Sequence, residues 1–233
     1  MQEKMTEVWK MIYLARRNPA LAAEEFPQAW REHSALGRQC KNVGQRVRAV
    51  AQCSRQLMEA TAPLSQDYDG VNLMVLADRE AGSVIWSDPE TLAVMRPDEP
   101  RVFADYVRNF SLLCRQQVLH DSLAPEALPQ NGQVLLIGFF QRSDEWKPAS
   151  ERLSNCPDAW RAPGLSSASR IVCNTVDEAP PVGYGYRYIV EWWFDSLQQA
   201  RQAVQNLNTA GSMGEYGWGD AVWMLTEVTH SRP

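Results

Sequence analysis

One stretch of the sequence concentrates groups able to move a proton. In Phe26-Pro27-Gln28-Ala29-Trp30-Arg31-Glu32-His33-Ser34-Ala35-Leu36, the residues Phe26, Trp30, His33 and Gly37 recur at helical spacing and share one helix face. Glu24, Glu25, Gln28, Arg31 and Glu32 take the wet side. A histidine on an apolar face beside a tryptophan is either a packed, hydrogen-bonded core residue or the acid/base group of a small pocket. Its place late in the helix, where partial negative charge collects, favours imidazolium. That suits a general acid, or a base of near-neutral pKa.

Other candidates surround it in sequence. On a strand through Glu7 to Arg16, Trp9, Met11 and Tyr13 share one face, and Lys10, Ile12 and Leu14 the other. Tyr13 could donate a hydrogen bond to a substrate carbonyl or carboxylate, or be a half-buried tyrosine with a satisfied hydroxyl. Arg16, at the strand end, could clamp a carboxylate or stay solvated. Tyr106, Trp192 and Trp193 could line a pocket for an aromatic ligand. Consecutive strand residues face opposite sides, so only one of Trp192 and Trp193 can do so, and the other joins the core. His120 and His230 end the final strands of two similar halves, which favours a structural or solvent-exposed role.

Composition removes several function classes. The 233 residues carry a net charge of −5, which argues against nucleic acid as a partner. No apolar run reaches the ~18 residues of a membrane helix, and no signal-peptide core is visible, so a cytoplasmic protein is expected. The five cysteines, Cys40, Cys53, Cys114, Cys156 and Cys173, are odd in number and contain no C-x-x-C, which reads as reduced, mostly buried thiols. Three scattered histidines make a zinc site unexpected. Nucleotide-loop and nucleophile-elbow motifs are missing, and Gly183-Tyr184-Gly185-Tyr186 is no phosphate cradle because it leads into a strand.

The candidate residues need elements to hold them. Strands are expected over Glu7–Arg16, Val47–Gln52, Val71–Leu76 and Ser111–His120, with the His33 helix after the first. A second helix is expected to run from a Ser87–Glu90 capping box to Met95. Asp121 to Gly132, with two prolines and an Asn-Gly, reads as a linker. The pattern then restarts: strands over Gln133–Gln141, Ser169–Thr175, Tyr186–Phe194 and Ala221–Val228, with helices over Asp144–Asn155 and Leu197–Leu207. Each half thus reads β-α-β-β-α-β, the ferredoxin-like unit. The expected fold is α+β: tandem units at 1–121 and 132–233, with antiparallel sheets packed face to face as an internal dimeric α+β barrel.

The first half resembles the EthD-like family of the dimeric α+β barrel superfamily. The family helix reads Phe, Trp four residues on, then His followed by a small residue, Pro and Leu. Here Phe26 and Trp30 keep the spacing and His33-Ser34-Ala35-Leu36 stands where His-x-Pro-Leu would. The Trp-to-His spacing is one residue shorter, and Ala35 replaces the proline. Tyr68-Asp69-Gly70-Val71 and Asp98-Glu99-Pro100-Arg101-Val102-Phe103-Ala104-Asp105 are also similar to family segments, while Ala77 to Trp86 looks like an insertion.

The resemblance implies a pocket between sheet and helices, with His33, Tyr13 and Asp105 as catalytic candidates. Asp105 would orient His33 or cap a helix. Trp30, Phe26, Arg16, Tyr106 and Trp192 are the substrate-binding candidates. Only the first half keeps the histidine, so one active pocket per chain is expected. Two functions are open. One is a cofactor-independent lyase or isomerase (dehydratase, decarboxylase or cyclase type) acting on a small aromatic or polyketide-like metabolite by histidine acid/base catalysis. The other is a non-catalytic binding or accessory protein of a catabolic pathway whose pocket is filled by side chains. A heme- or oxygen-using relative is a third. No metal or cofactor is expected; the expected partner is the small molecule, with no nucleic acid and no membrane, in a monomer or homodimer.

Overall fold

A computed structural model describes residues 7–120, 127–141, 165–209 and 221–232. Eight strands form it: β1 (Trp9–Ala15), β2 (Val47–Arg55), β3 (Gly70–Leu76), β4 (Ser111–His120), β5 (Val134–Gln141), β6 (Arg170–Val176), β7 (Tyr186–Phe194) and β8 (Val222–Arg232). They close into one barrel in the order β1-β3-β2-β8-β5-β7-β6-β4, every pairing antiparallel. The first four strands stand in the order β4-β1-β3-β2, and the last four repeat it as β8-β5-β7-β6. The two sheets do not pack as separate layers. They also join edge to edge, β2 to β8 and β4 to β6, and closure leaves none of these eight strands with a free edge.

Among the described residues five α-helices flank the barrel: α1 (Phe26–Leu36), α2 (Lys41–Arg46), α3 (Arg79–Val84), α4 (Glu99–Val102) and α5 (Leu197–Thr209). The helix expected at 144–155 lies outside the described residues. The helix expected from a Ser87 cap differs in kind. Asp78 caps α3 by accepting from the Ala81 amide at 2.8 Å. A π-helical turn, Thr91–Met95, then follows a 3-10 turn at Ile85–Ser87. Asp88 starts that turn, taking the amides of Glu90 at 2.9 Å and Thr91 at 3.1 Å, while the Ser87 hydroxyl turns back to the Val84 carbonyl. A carboxylate already held by Asn42 and Arg46 is a stronger acceptor than a free hydroxyl, so Asp88 takes the cap.

Strand alternation divides the core. Ile12, Leu14, Ala51, Cys53, Val71, Leu73, Leu112, Leu135, Ile137 and Trp193 fill the barrel interior. Within it Lys10 Nζ donates to Glu191 Oε1 at 2.7 Å, both side chains fully buried. Asn174 Nδ2 and Trp193 Nε1 donate to the same carboxylate at 2.8 and 3.1 Å, so this charge is paired and hydrogen-bonded from both halves of the chain. The opposite faces of the strands carry the helices. Val134, Leu136, Val190 and Trp192 pack with Ala200, Ala203 and Leu207 of α5. Met11, Val50 and Leu113 pack with α2 and α3 residues such as Val43 and Ala81. Cys40, Cys53, Cys114 and Cys173 are buried free thiols; Cys156 lies outside the described residues.

Candidate functional site

The floor of the site is a register of the first four strands. Asn72 on β3 stands opposite Tyr13 on β1 and Gln52 on β2, and Gln52 stands opposite His230 on β8. The next row on the same face is Met74, Val50 and Arg232. Directly opposed residues point to one side of a sheet, so both rows look outward toward the helices. Tyr13, Gln52, Asn72, Met74, Val50 and Arg232 all line one cavity.

Helix α1 forms the roof. Trp30, His33 and Ser34 reach the cavity, with Trp86, Thr91, Met95 and Glu99 completing its wall. Trp30 is fully buried, and its Nε1 donates to Tyr13 Oη at 3.1 Å. Phe26 stacks behind it, ring centroids 5.0 Å apart. The Gln52 amide nitrogen donates to the Trp30 carbonyl at 3.2 Å, binding the helix to the floor. Gly70 makes this seating possible: a Cβ there would lie 2.6 Å from the Trp30 ring and 2.9 Å from the Cys53 carbonyl oxygen.

His33 Nδ1 lies 3.0 Å from Asp98 Oδ2. Arg101 holds the same carboxylate with two bonds, Nε to Oδ1 at 2.7 Å and Nη2 to Oδ2 at 3.1 Å. Chiefly through that guanidinium, the Asp98 carboxyl is held below its usual range. An ionised carboxylate on Nδ1 fixes the Nδ1–H tautomer and leaves the lone pair on Nε2. Burial lowers the pKa of His33 and outweighs the opposing pull of Asp98. The imidazolium expected from the helix end is therefore corrected: the ring is neutral at pH 7, because its own helix's C-terminal charge counts for less than its removal from water. Phe103 meets it edge-on at 5.4 Å.

The cavity measures about 40 Å³. It is small, yet four of its lining residues carry buried polar atoms without partners. Gln52 Oε1, Asn72 Nδ2, Thr91 Oγ1 and Arg232 Nε are buried with no hydrogen bond, and all four residues line it. Burial also raises the pKa of Glu99, another lining residue, whose Oε2 accepts from the Val107 amide at 3.0 Å. Unpaired buried polar atoms cost on the order of 1–3 kcal/mol each unless water or a ligand answers them.

The sequence candidates divide. The structure brings His33, Tyr13 and Trp30 together at the cavity. Asp105 does not reach His33: its Oδ1 accepts from the Tyr106 amide at 2.7 Å and from Asn109 Nδ2 at 2.9 Å, a local turn on the surface. Arg16 is exposed, lies over the Tyr68 ring and donates to the Asp67 carbonyl. Tyr106 is exposed beneath Arg96. Trp192 is buried under α5, stacked on Trp223. Phe26 supports Trp30 from behind without lining the cavity. Asp98, Arg101, Gln52, Asn72 and Arg232 were not singled out as site residues. The lone amide Asn72 in Val71–Leu76, on a strand face it shares with Met74 and Leu76, was the available signal. Among the described residues, no group of three or more His, Cys, Asp or Glu could hold a metal ion.

Residues 18–106, which contain the His33–Asp98 pair, match the family model of the EthD domain. Over that stretch the chain is similar to the EthD domain. Its whole length is similar in structure to an anthrone oxidase-like protein, at 12% identity and a TM-score of 0.59, covering 98% of this chain and 94% of that one. A protein from Fusobacterium nucleatum subsp. nucleatum, provisionally named a monooxygenase, gives 7% identity, a TM-score of 0.56 and coverage of 99% and 95%. A mutant chlorite dismutase from Candidatus Nitrospira defluvii gives 11%, 0.51, and 95% and 92%. At such identities the likeness is one of fold, that of an eight-stranded α+β barrel. No curated protein matches the chain in sequence. Among the described residues, no helix is long and apolar enough to cross a membrane.

Proposed function

We propose that the chain is a cofactor-independent enzyme of the lyase or isomerase type, acting on a small aromatic or polyketide-like molecule by proton transfer at His33. The observation that carries this reading is the coincidence of a neutral, carboxylate-oriented imidazole with unpaired buried polar atoms around one cavity. Structural histidines need no such surroundings.

The chemistry follows from the atoms. Nε2 of His33 takes a proton from a carbon next to a substrate carbonyl, and the imidazolium so formed is balanced by Asp98. Charge then develops on the carbonyl oxygen. Tyr13 Oη already accepts from Trp30, so its own hydrogen is available to that oxygen, and the Asn72 amide is a second donor. Burial raises the Tyr13 pKa, which keeps it a donor. His33 returns the proton to a different carbon, which gives isomerisation, or to a departing hydroxyl, which leaves as water. Both outcomes balance without an external oxidant.

The same proposal extends to a finer organisation: two ferredoxin-like units, 1–121 and 132–233, the first with the pocket and the second as wall and scaffold. The repeated strand order supports it. The cavity's small volume favours a second reading, an accessory protein that binds without turnover. A ring would have to displace Met74, Met95 or Trp86, and methionines yield most readily. The test is a screen of aromatic ketones and β-hydroxy ketones for isomerisation or loss of water. Turnover by the wild type that falls about 10²-fold in a folded His33→Ala protein supports the enzyme; ligand binding without turnover supports the accessory protein.

A further inference from the structure

Four cationic or potentially cationic side chains gather where α1 meets the end of β8. His230 and Arg232, two residues apart, lie on the helix-facing side of β8, opposite Gln52 and Val50. Arg31 Nη2 donates to the Thr229 carbonyl at 3.4 Å. Arg38 follows in the 3-10 turn Gly37–Gln39 that extends α1. Burial, and then the charges of Arg31, Arg232 and Arg38, lower the pKa of His230, and Arg38 also acts on the partly buried Arg232. Like charges thus crowd one another at this corner.

Among the described residues, Arg31, Arg38, Arg232 and His230 enter no ion pair; the group's one side-chain hydrogen bond is that of Arg31 to a carbonyl. By contrast Arg17, Arg46, Arg79, Arg101, Arg115 and Arg201 are each paired with an acid. In a chain with a net charge of −5, three guanidiniums without an acid partner gather at one place. One of them also enters the site: Arg232 lines the His33 cavity, and its Nε is buried without an acceptor.

We infer that this corner is an anion-binding subsite of the His33 cavity, in which Arg232, backed by Arg38 and Arg31, holds a carboxylate of the substrate. Resting on the reading of the cavity as a ligand site, it narrows the ligand to a small organic carboxylate. A planar carboxylate can take Nε–H and an adjacent Nη–H of one guanidinium together, which would satisfy the orphaned Nε. The cavity beside it is walled by Val43, Val50, Met74 and Ile85, which suits a hydrocarbon body rather than a free inorganic ion. The carboxylate would fix the ligand at the β8 end, leaving the rest of it to His33 and the Tyr13–Asn72–Gln52 row.

The test is calorimetric binding of benzoate, benzamide and inorganic phosphate to the full chain in low salt. Binding needs no turnover, so a failed reaction screen leaves this experiment intact, and a failure of carboxylate binding leaves proton transfer by His33 untouched. Benzoate is expected to bind about tenfold or more tightly than the isosteric neutral benzamide. The preference should vanish in Arg232→Gln, shrink in Arg38→Gln and weaken as chloride rises. Melting curves matching the wild type show that both variants are folded. Equal binding of benzoate and benzamide, no benzoate binding, tighter binding of phosphate than of benzoate, or an unchanged preference in folded Arg232→Gln would each overturn the inference.

Discussion

Asp98 Oδ2 lies 3.0 Å from His33 Nδ1 although 65 residues separate the two in the chain. The contact spans the loop between β3 and β4 and ties it to α1. It does two opposite things to the imidazole: it raises the pKa that burial lowers, and it fixes which nitrogen keeps the lone pair.

The first prediction concerns that balance. An NMR titration of the His33 ring should show a midpoint below 6.5, and Asp98→Asn should move it lower still, since the variant removes the opposing charge. The unfolded chain titrates near 6.5, so below that pH it takes up a proton the folded ring resists. Stability must therefore fall as pH falls through this range. Melting temperatures of the wild type should show this acid slope, and His33→Gln should make it shallower. His230 adds to the slope in the same direction and stays in the variant.

A second prediction isolates the seat of Trp30. Gly70→Ala forces a Cβ to 2.6 Å from the indole and 2.9 Å from a backbone oxygen, neither of which is a flexible chain end. Overpacking of this kind costs about 1–3 kcal/mol, and chemical denaturation should find a loss on that scale. Because Trp30 also holds Tyr13, the variant should disturb ligand binding, whereas Arg16→Ala on the far side of the strand end should leave it unchanged.

The barrel interior supplies a third. Lys10→Met leaves Glu191 charged and buried without its ion-pair partner, which costs on the order of 3–5 kcal/mol. Lys10→Met with Glu191→Gln removes the stranded charge and keeps an acceptor for Asn174 and Trp193. The double variant should melt above the single one. A lower melting temperature for the double variant would show that Glu191 is held by its neutral donors.

Much of this architecture was legible in the sequence because its signals are local. β4 and β7 coincide with the strands expected over Ser111–His120 and Tyr186–Phe194, and α1 begins and ends within the Phe26–Leu36 stretch. The expected barrel is present, but the edge pairings that close it, β2 to β8 and β4 to β6, were hidden: they join residues from opposite halves, and strand patterns carry no address for their partner. The site was half legible for the same reason. His33, Tyr13 and Trp30 announce themselves by type and face. Asp98 was passed over for Asp105 because both lie in one acidic stretch and only the folded loop decides which carboxylate turns inward. Gln52 and Asn72 become informative once register sets them beside Tyr13.

The most direct measurement of proton transfer at His33 is solvent exchange. A panel of aromatic ketones, including 2-acetylbenzoate, is incubated with the protein in D2O, and loss of the proton signal next to the carbonyl is followed by NMR. The wild type should exchange at least one member well above the buffer rate, and a folded His33→Ala protein should do so about 10²-fold more slowly. Exchange at the same rate in the folded variant, or none by the wild type across the panel, would contradict proton transfer by His33.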